Sequence, residues 1–226
     1  DEDKCIEYTK LIGSLNGKVI TDYDLKDMSV VLVLNSDKYA GTAKKRLSGF
    51  SIAMCPMHPK HFGGLIHHES GGHGFGRLAD EYVNSQNKTT SIYTGGTSWV
   101  NMIRSYHEVG GYANADLTND PQKVVWKDFL EHEKYPTVGC FEGAVYYGKD
   151  VWKPEEVKTC MDNNVPYYNA PSRYSIVARI MEIAGVDFSF EKFVQIDDVE
   201  KAWAAYPKTK STEILPPLAP PIIIPE

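Results

Sequence analysis

Five of the seven histidines fall between residues 58 and 73: His58, His61, His67, His68 and His73. The densest stretch reads His67-His68-Glu69-Ser70-Gly71-Gly72-His73-Gly74-Phe75-Gly76-Arg77-Leu78-Ala79-Asp80-Glu81-Tyr82. Two histidines on a helix, with a glutamate directly after the first, is the arrangement of zinc hydrolases. Neutral imidazoles hold the metal, which lowers the pKa of water at that place to roughly 7. The glutamate is not a ligand; it accepts the water's proton and passes it to the leaving amine.

The spacing carries more information than the residue types. His68 and His73 stand at i and i+5, about 140° apart on an ideal α-helix of 3.6 residues per turn. Histidines at i and i+4 would share one face. A π-type distortion that absorbs one extra residue brings the pair together again. Gly71-Gly72 sits where that distortion is needed, and glycine accepts unusual backbone conformations at low cost. The glycines after His73 let the chain leave the helix and return with Asp80 as a carboxylate third ligand. Glu81 competes for the same role. Three protein ligands with a fourth position open is the catalytic zinc pattern.

Other readings of these residues are weaker. A phosphate-cradling loop follows a strand and carries Gly-Lys-Ser/Thr, and neither condition holds here. Ser70 lacks the first glycine of a nucleophile elbow. His58, His61, His107 and His132 read as surface or packed residues, and His67 cannot share a helical face with His68. The four cysteines show no C-x-x-C spacing, so a thiolate zinc knuckle is not indicated, and their disulfide state is open.

Several elements must position these side chains. Residues 4–15 read as a short amphipathic helix stopped by Asn16-Gly17. Residues 29–35 form a continuous aliphatic run expected to be a strand buried on both faces. A polar loop through Tyr39-Ala40-Gly41-Thr42 precedes a second strand at 49–55, and a helix is expected from about 61 to 73. Residues 83–97 read as a loop. Asp120-Pro121 is expected to open a helix with Val124, Val125, Phe129 and Leu130 on one side. Residues 139–152 suggest a β-hairpin turning near Gly148-Lys149-Asp150. Pro171-Ser172 opens a periodic helix with Ile176, Val177, Ile180, Met181 and Ile183 toward the core, ended by Gly185. One or two further helices follow over 190–204.

Length and composition bound the rest. The chain has 226 residues with 42% apolar and 24% charged, which fits one globular domain and excludes a disordered polymer. No apolar run approaches the roughly 20 residues of a membrane span. The net charge is −6, and Lys44-Lys45-Arg46 is the only basic cluster, which argues against nucleic acid as the main partner. The first residues carry no targeting signal, consistent with a processed or truncated product. The expected organisation is a single α/β or α+β domain over 1–206, followed by a proline-rich extended tail over 207–226 that cannot pair in a central sheet.

The segment from His68 to Tyr82 resembles the signature of the IgA-peptidase-type metallopeptidases, metzincin-like zinc enzymes found largely in secreted or surface proteins of gut bacteria. The likeness continues through Tyr112-Ala113-Asn114-Ala115-Asp116 toward Trp126 and through Gly139-Cys140-Phe141-Glu142-Gly143-Ala144-Val145-Tyr146-Tyr147. It extends to Cys160-Met161 and Tyr167-Tyr168-Asn169-Ala170-Pro171-Ser172-Arg173. It covers roughly residues 29–185. The resemblance implies a zincin catalytic domain in which a small central sheet backs an active-site helix, without the family's N-terminal β-domain. It implies one catalytic Zn2+ with His68 and His73 as ligands, Glu69 as general base and Gly76 in the turn that follows. Asp80 matches the third ligand, seven residues after His73 where the wider metzincin pattern expects six. Met161 matches the methionine of the turn beneath the metal.

Tyr167 or Tyr168 would then serve as an oxyanion donor, and Glu142 would orient a ligand histidine. The implied activity is zinc-dependent endopeptidase hydrolysis of a protein or peptide substrate. Its backbone would add as a strand near residues 51–54. The implied location is extracellular, cell-surface or periplasmic in a bacterium. Two rival functions go with the same residues: a non-catalytic zinc-containing module that binds protein or glycan, and a zinc amidase acting on non-protein amides.

Overall fold

The computed structural model describes residues 2–47, 49–163, 165–204 and 215–224. The fold is mixed α+β. Its strands are β1 (Ser29–Leu34), β2 (Thr42–Arg46), β3 (Ser51–Pro56), β4 (Phe141–Ala144), β5 (Tyr147–Lys153) and β6 (Ile222–Ile224). The chain forms two compact units, Asp1–Phe75 with Leu218–Glu226, and Gly76–Pro217.

The first unit is built on a sheet in the order β1-β3-β2-β6. β3 runs parallel to β1, with Ser29 opposite Ser51, and antiparallel to β2, with Ala43 opposite Ala53. Being flanked on both sides, β3 is the buried strand. This corrects two expectations. The run at 29–34 is an edge strand, not one buried on both faces: Val30 and Leu32 pack with Leu25, Phe50 and Ile52, while Val31 and Val33 are exposed. Residues 51–54 are paired along both edges, so no substrate strand can add there.

β2 escaped the sequence reading because its lysines obscure the alternation. Ala43 and Lys45 point inward while Thr42, Lys44 and Arg46 lie at the margin. The helix Glu2–Leu15 covers the predicted span. It packs through Cys5 and Ile6, and it leaves Leu11, Ile12 and Leu15 exposed.

The proline-rich tail is corrected in part. Residues 207–214 and 225–226 lie outside the described residues. Ile222–Ile224 does enter the sheet, parallel to β2, with Lys44 opposite Ile222. The run Ile222–Ile224 contains no proline, and three β-branched residues in succession suit an edge position.

In the second unit β4 and β5 form an antiparallel hairpin. Its turn lies at Val145-Tyr146, because Ala144 pairs with Tyr147, and not at Gly148-Lys149-Asp150. The helix Thr97–Glu108 was missed, although Val100, Ile103 and Tyr106 line its buried face at helical spacing. The helix expected after Asp120 is absent. Residues 121–131 form turns and one 3₁₀ turn, Lys127–Phe129. Asp120 does accept from the Gln122 N–H as a cap would. Asp116 Oδ2, however, takes the Val125 N–H and the Trp126 indole donates to the Gly139 carbonyl. These tertiary bonds hold the backbone out of a regular helix.

The helix Ala170–Ile183 is capped by Asn169, whose Oδ1 accepts from Ser172 N. Its core contacts come from Ala170, Tyr174 and Val177, against Val124, Trp126, Phe129, Tyr135 and Phe193. Ile180 and Ile183, expected inside, are about half exposed. Gly185 ends the helix with φ +68°. The helices Phe190–Ile196 and Val199–Ala204 follow as predicted.

Candidate metal centre

The histidine segment starts as an α-helix, Phe62–Ile66, and changes to a π-helix over His67–Phe75. The distortion expected from the histidine spacing is therefore present, and it extends over nine residues instead of a single bulge. Its effect on the pair is direct: the His68 and His73 rings lie 4.7 Å apart, centroid to centroid, in an edge-to-face arrangement. Both are buried, as are Glu69, Gly72 and Gly74 on the same segment.

Small residues let this helix approach the sheet. A Cβ on Gly74 would stand 2.7 Å from Ser51 Oγ and 3.2 Å from Ser29 Oγ, which is too close for any larger residue without movement. Ser70 Oγ lies 3.2 Å from Ser29 Oγ, and Ser51 donates to Ser29, so β1, β3 and the π-helix meet through hydroxyls.

Glu69 is fully buried against the loop before β2. A Cβ on Gly41 would come within 2.6 Å of Glu69 Oε1 and 3.0 Å of its Cγ. The Cys55 thiol is pushed up to about 12, first by burial and then by the neighbouring Glu69 carboxylate.

Asp80 and Glu81 are both buried but held in different ways. Glu81 sits in a closed set of donors: Asn114 Nδ2 and Asn169 Nδ2 each donate to Oε1 at 2.7 Å, and Thr159 Oγ1 donates to Oε2 at 2.7 Å. Burial pushes its carboxyl up to about 7, against the lowering influence of Lys153 and these three donors. Glu81 thus ties together Asn114, Thr159 and the cap residue of the helix Ala170–Ile183. Asp80 instead accepts from the Tyr146 hydroxyl. Burial and the Asp80 charge hold that phenol well above its ordinary range, so it stays protonated as a donor.

One group among the described residues could hold a metal ion: His68, His73 and Asp80, all buried. Each offers one ligand atom, and these atoms lie within 4.8 Å of one another. Of the two competing carboxylates, it is Asp80 that belongs to this group.

The remaining predicted residues fall in other places. Met161 is fully buried, and its carbonyl accepts from Glu81 N at 2.9 Å, so its turn is joined to the residue after Asp80. Tyr167 is occupied elsewhere: its hydroxyl donates to Glu155 at 2.9 Å, and its ring stacks on Trp203 at 4.6 Å. The Tyr168 phenol is held above its usual range by burial and by the Cys160 thiol beside it, and its carbonyl accepts from Arg173. Glu142 is exposed on β4 and bound to Lys149 at 2.6 Å and to the Asp150 N–H, so it does not orient a histidine of the group. His67 is exposed and outside the group. Among the described residues the four cysteines form no disulfide.

Sequence reasoning missed Gly41, Tyr146, Asn114, Thr159 and Asn169. A signal for most of them existed. Asn114, Tyr146 and Asn169 lie within the blocks on which the family resemblance rests, and Thr159 immediately precedes one. No protein-family model matches the chain, and no curated protein matches it. Among the described residues no helix is long and apolar enough to cross a membrane.

Proposed function

We propose that this chain is a zinc-dependent endopeptidase domain of the IgA-peptidase type, acting outside the bacterial cytoplasm. The observation that carries the reading is the buried His68–His73–Asp80 group, with Glu69 next to its first member on the same π-helix. Two imidazoles and one carboxylate suit zinc better than the all-oxygen sets of calcium or magnesium. Three protein donors are also the number that a catalytic zinc site uses. His68, His73 and Asp80 would hold the ion.

When bound, zinc supplies a Lewis acid that polarises a scissile carbonyl and acidifies water at neutral pH. The chain's own part lies with Glu69. Its carboxylate accepts a proton from the attacking water and delivers it to the leaving amine nitrogen, a contribution of roughly 10²–10⁴-fold. Gly41 holds that carboxylate close to the loop before β2. Met161, buried and bonded to the residue after Asp80, supports the third donor through the backbone.

The test is a quenched peptide library with and without a chelator, run on the wild type and on Glu69→Gln. The expected result is chelator-sensitive cleavage by the wild type and none above background by the variant, with equal zinc content in both. Zinc bound without cleavage by the wild type would favour a binding module and end the peptidase reading.

A further inference from the structure

We infer that Tyr146 is a positioning residue for Asp80, holding one carboxylate oxygen by its hydroxyl so that the carboxylate meets a metal through the other. This rests on the zinc reading above, and it assigns a role to the β4–β5 turn that the motif itself does not contain. The observation is a conformational cost placed at one point. The two-residue connection between Ala144 and Tyr147 has Val145 at φ +46° and Tyr146 at φ +71°. Such hairpin turns favour Asn-Gly, and a β-branched residue at positive φ is an outlier. Both residues are buried here.

The turn is held in this state by the segment that carries Asp80. Val145 N donates to the Asp80 carbonyl at 3.0 Å, Tyr146 N to the Tyr82 carbonyl at 3.0 Å, and Asn84 N to the Tyr146 carbonyl at 3.1 Å. The Tyr146 ring meets Tyr82 at 5.3 Å and Trp99 at 4.8 Å, both edge-on. Three backbone bonds and two ring contacts therefore fix where the phenol points, and it points at Asp80 Oδ2. An Asn-Gly turn would close the same hairpin without strain and would supply no donor. Strain that persists because its surroundings over-determine it is a mark of a functional device. An outer partner that fixes the orientation of a ligand is worth roughly 10–100-fold in metal affinity.

The experiment compares wild type, Asp80→Ala and Tyr146→Phe for zinc affinity, by competition with a chromogenic chelator. The visible spectra of the cobalt-substituted proteins are recorded as well, because these bands respond to how a carboxylate binds. Tyr146→Phe is expected to bind zinc roughly 10–100-fold more weakly with shifted cobalt bands and an unchanged circular dichroism spectrum. If Asp80→Ala loses zinc while Tyr146→Phe keeps wild-type affinity and spectrum, the positioning role is overturned and the zinc reading stands. If wild type binds no zinc, or Asp80→Ala binds it as well as wild type, both fail. A second measurement covers a Tyr146→Phe protein that does not fold. With 3-fluorotyrosine placed at position 146, the hydroxyl is retained, and its fluorine resonance must move on adding zinc. A resonance that does not move overturns the inference.

Discussion

The histidine pair and the carboxylate of the proposed centre are secured by opposite means. His68 and His73 are five positions apart on one helix, and a change in that helix's own winding brings their rings to 4.7 Å. Asp80 is fixed from a distance. Its partner Tyr146 is 66 residues away, and the neighbouring Glu81 draws donors from 33, 78 and 88 residues away. The first solution is written in local backbone permissiveness, chiefly glycine. The second is written in buried polar bonds that exist only after folding. A local device should fail locally, with metal or rate affected and the fold intact. The donors around Glu81 tie several segments to one another, so losing one of them should loosen those segments together.

Substitutions can break this contrast or sharpen it. The largest effect belongs to His73→Ala, which removes a donor from the group. Zinc affinity measured by chelator competition should fall well beyond the roughly 100-fold that separates a ligand from its outer partners, with little change in circular dichroism. Gly41→Ala comes next. Its new Cβ would stand 2.6 Å from Glu69 Oε1, so the buried carboxylate must move. A displacement near 1 Å costs on the order of 100-fold in kcat/KM, and zinc content measured in the same sample should stay at the wild-type level. Thr159→Val is the smallest, and it probes the non-local side. It keeps shape but withdraws a donor from Glu81 Oε2. A buried acceptor left short costs about 1–3 kcal/mol, to be read as a lower denaturation midpoint in urea. If Thr159→Val changed only metal affinity, or if Gly41→Ala unfolded the protein, the contrast would be wrong.

The same contrast explains what the sequence made legible. The i,i+5 spacing beside two glycines foretold a π distortion, because the argument needed only helix geometry. The helix beginning at Ala170 was readable from its Asn-Ala-Pro-Ser start. By contrast, the segment after Asp120 had a good cap and a proline and still did not become a helix. The bonds that overrule it reach Asp116 and Gly139, 9 and 13 residues away, and hydrophobic periodicity carries no sign of them. The hairpin turn was misplaced for a related reason. Gly148-Lys149-Asp150 has the better turn chemistry, and only the contacts to residues 80–84 make Val145-Tyr146 the turn that forms. Burial was also misjudged where a strand's rank in the sheet decides it. The run at 29–34 is as aliphatic as a central strand, yet it occupies an edge. Between Asp80 and Glu81 the family resemblance favoured Asp80, while spacing alone did not separate two acids in adjacent positions. The distinction lies in which neighbours reach them.

The winding of His67–Phe75 also bears on how such a motif can change over generations. A helix bonded from i to i+5 encloses one more residue in each hydrogen-bonded loop than its α counterpart. Losing a single codon among Ser70, Gly71 and Gly72 would place the two imidazoles at i and i+4, where an ordinary helix already stacks them. The longer and shorter forms of this signature are therefore one deletion apart, with a working pair of nitrogen donors on either side of the step.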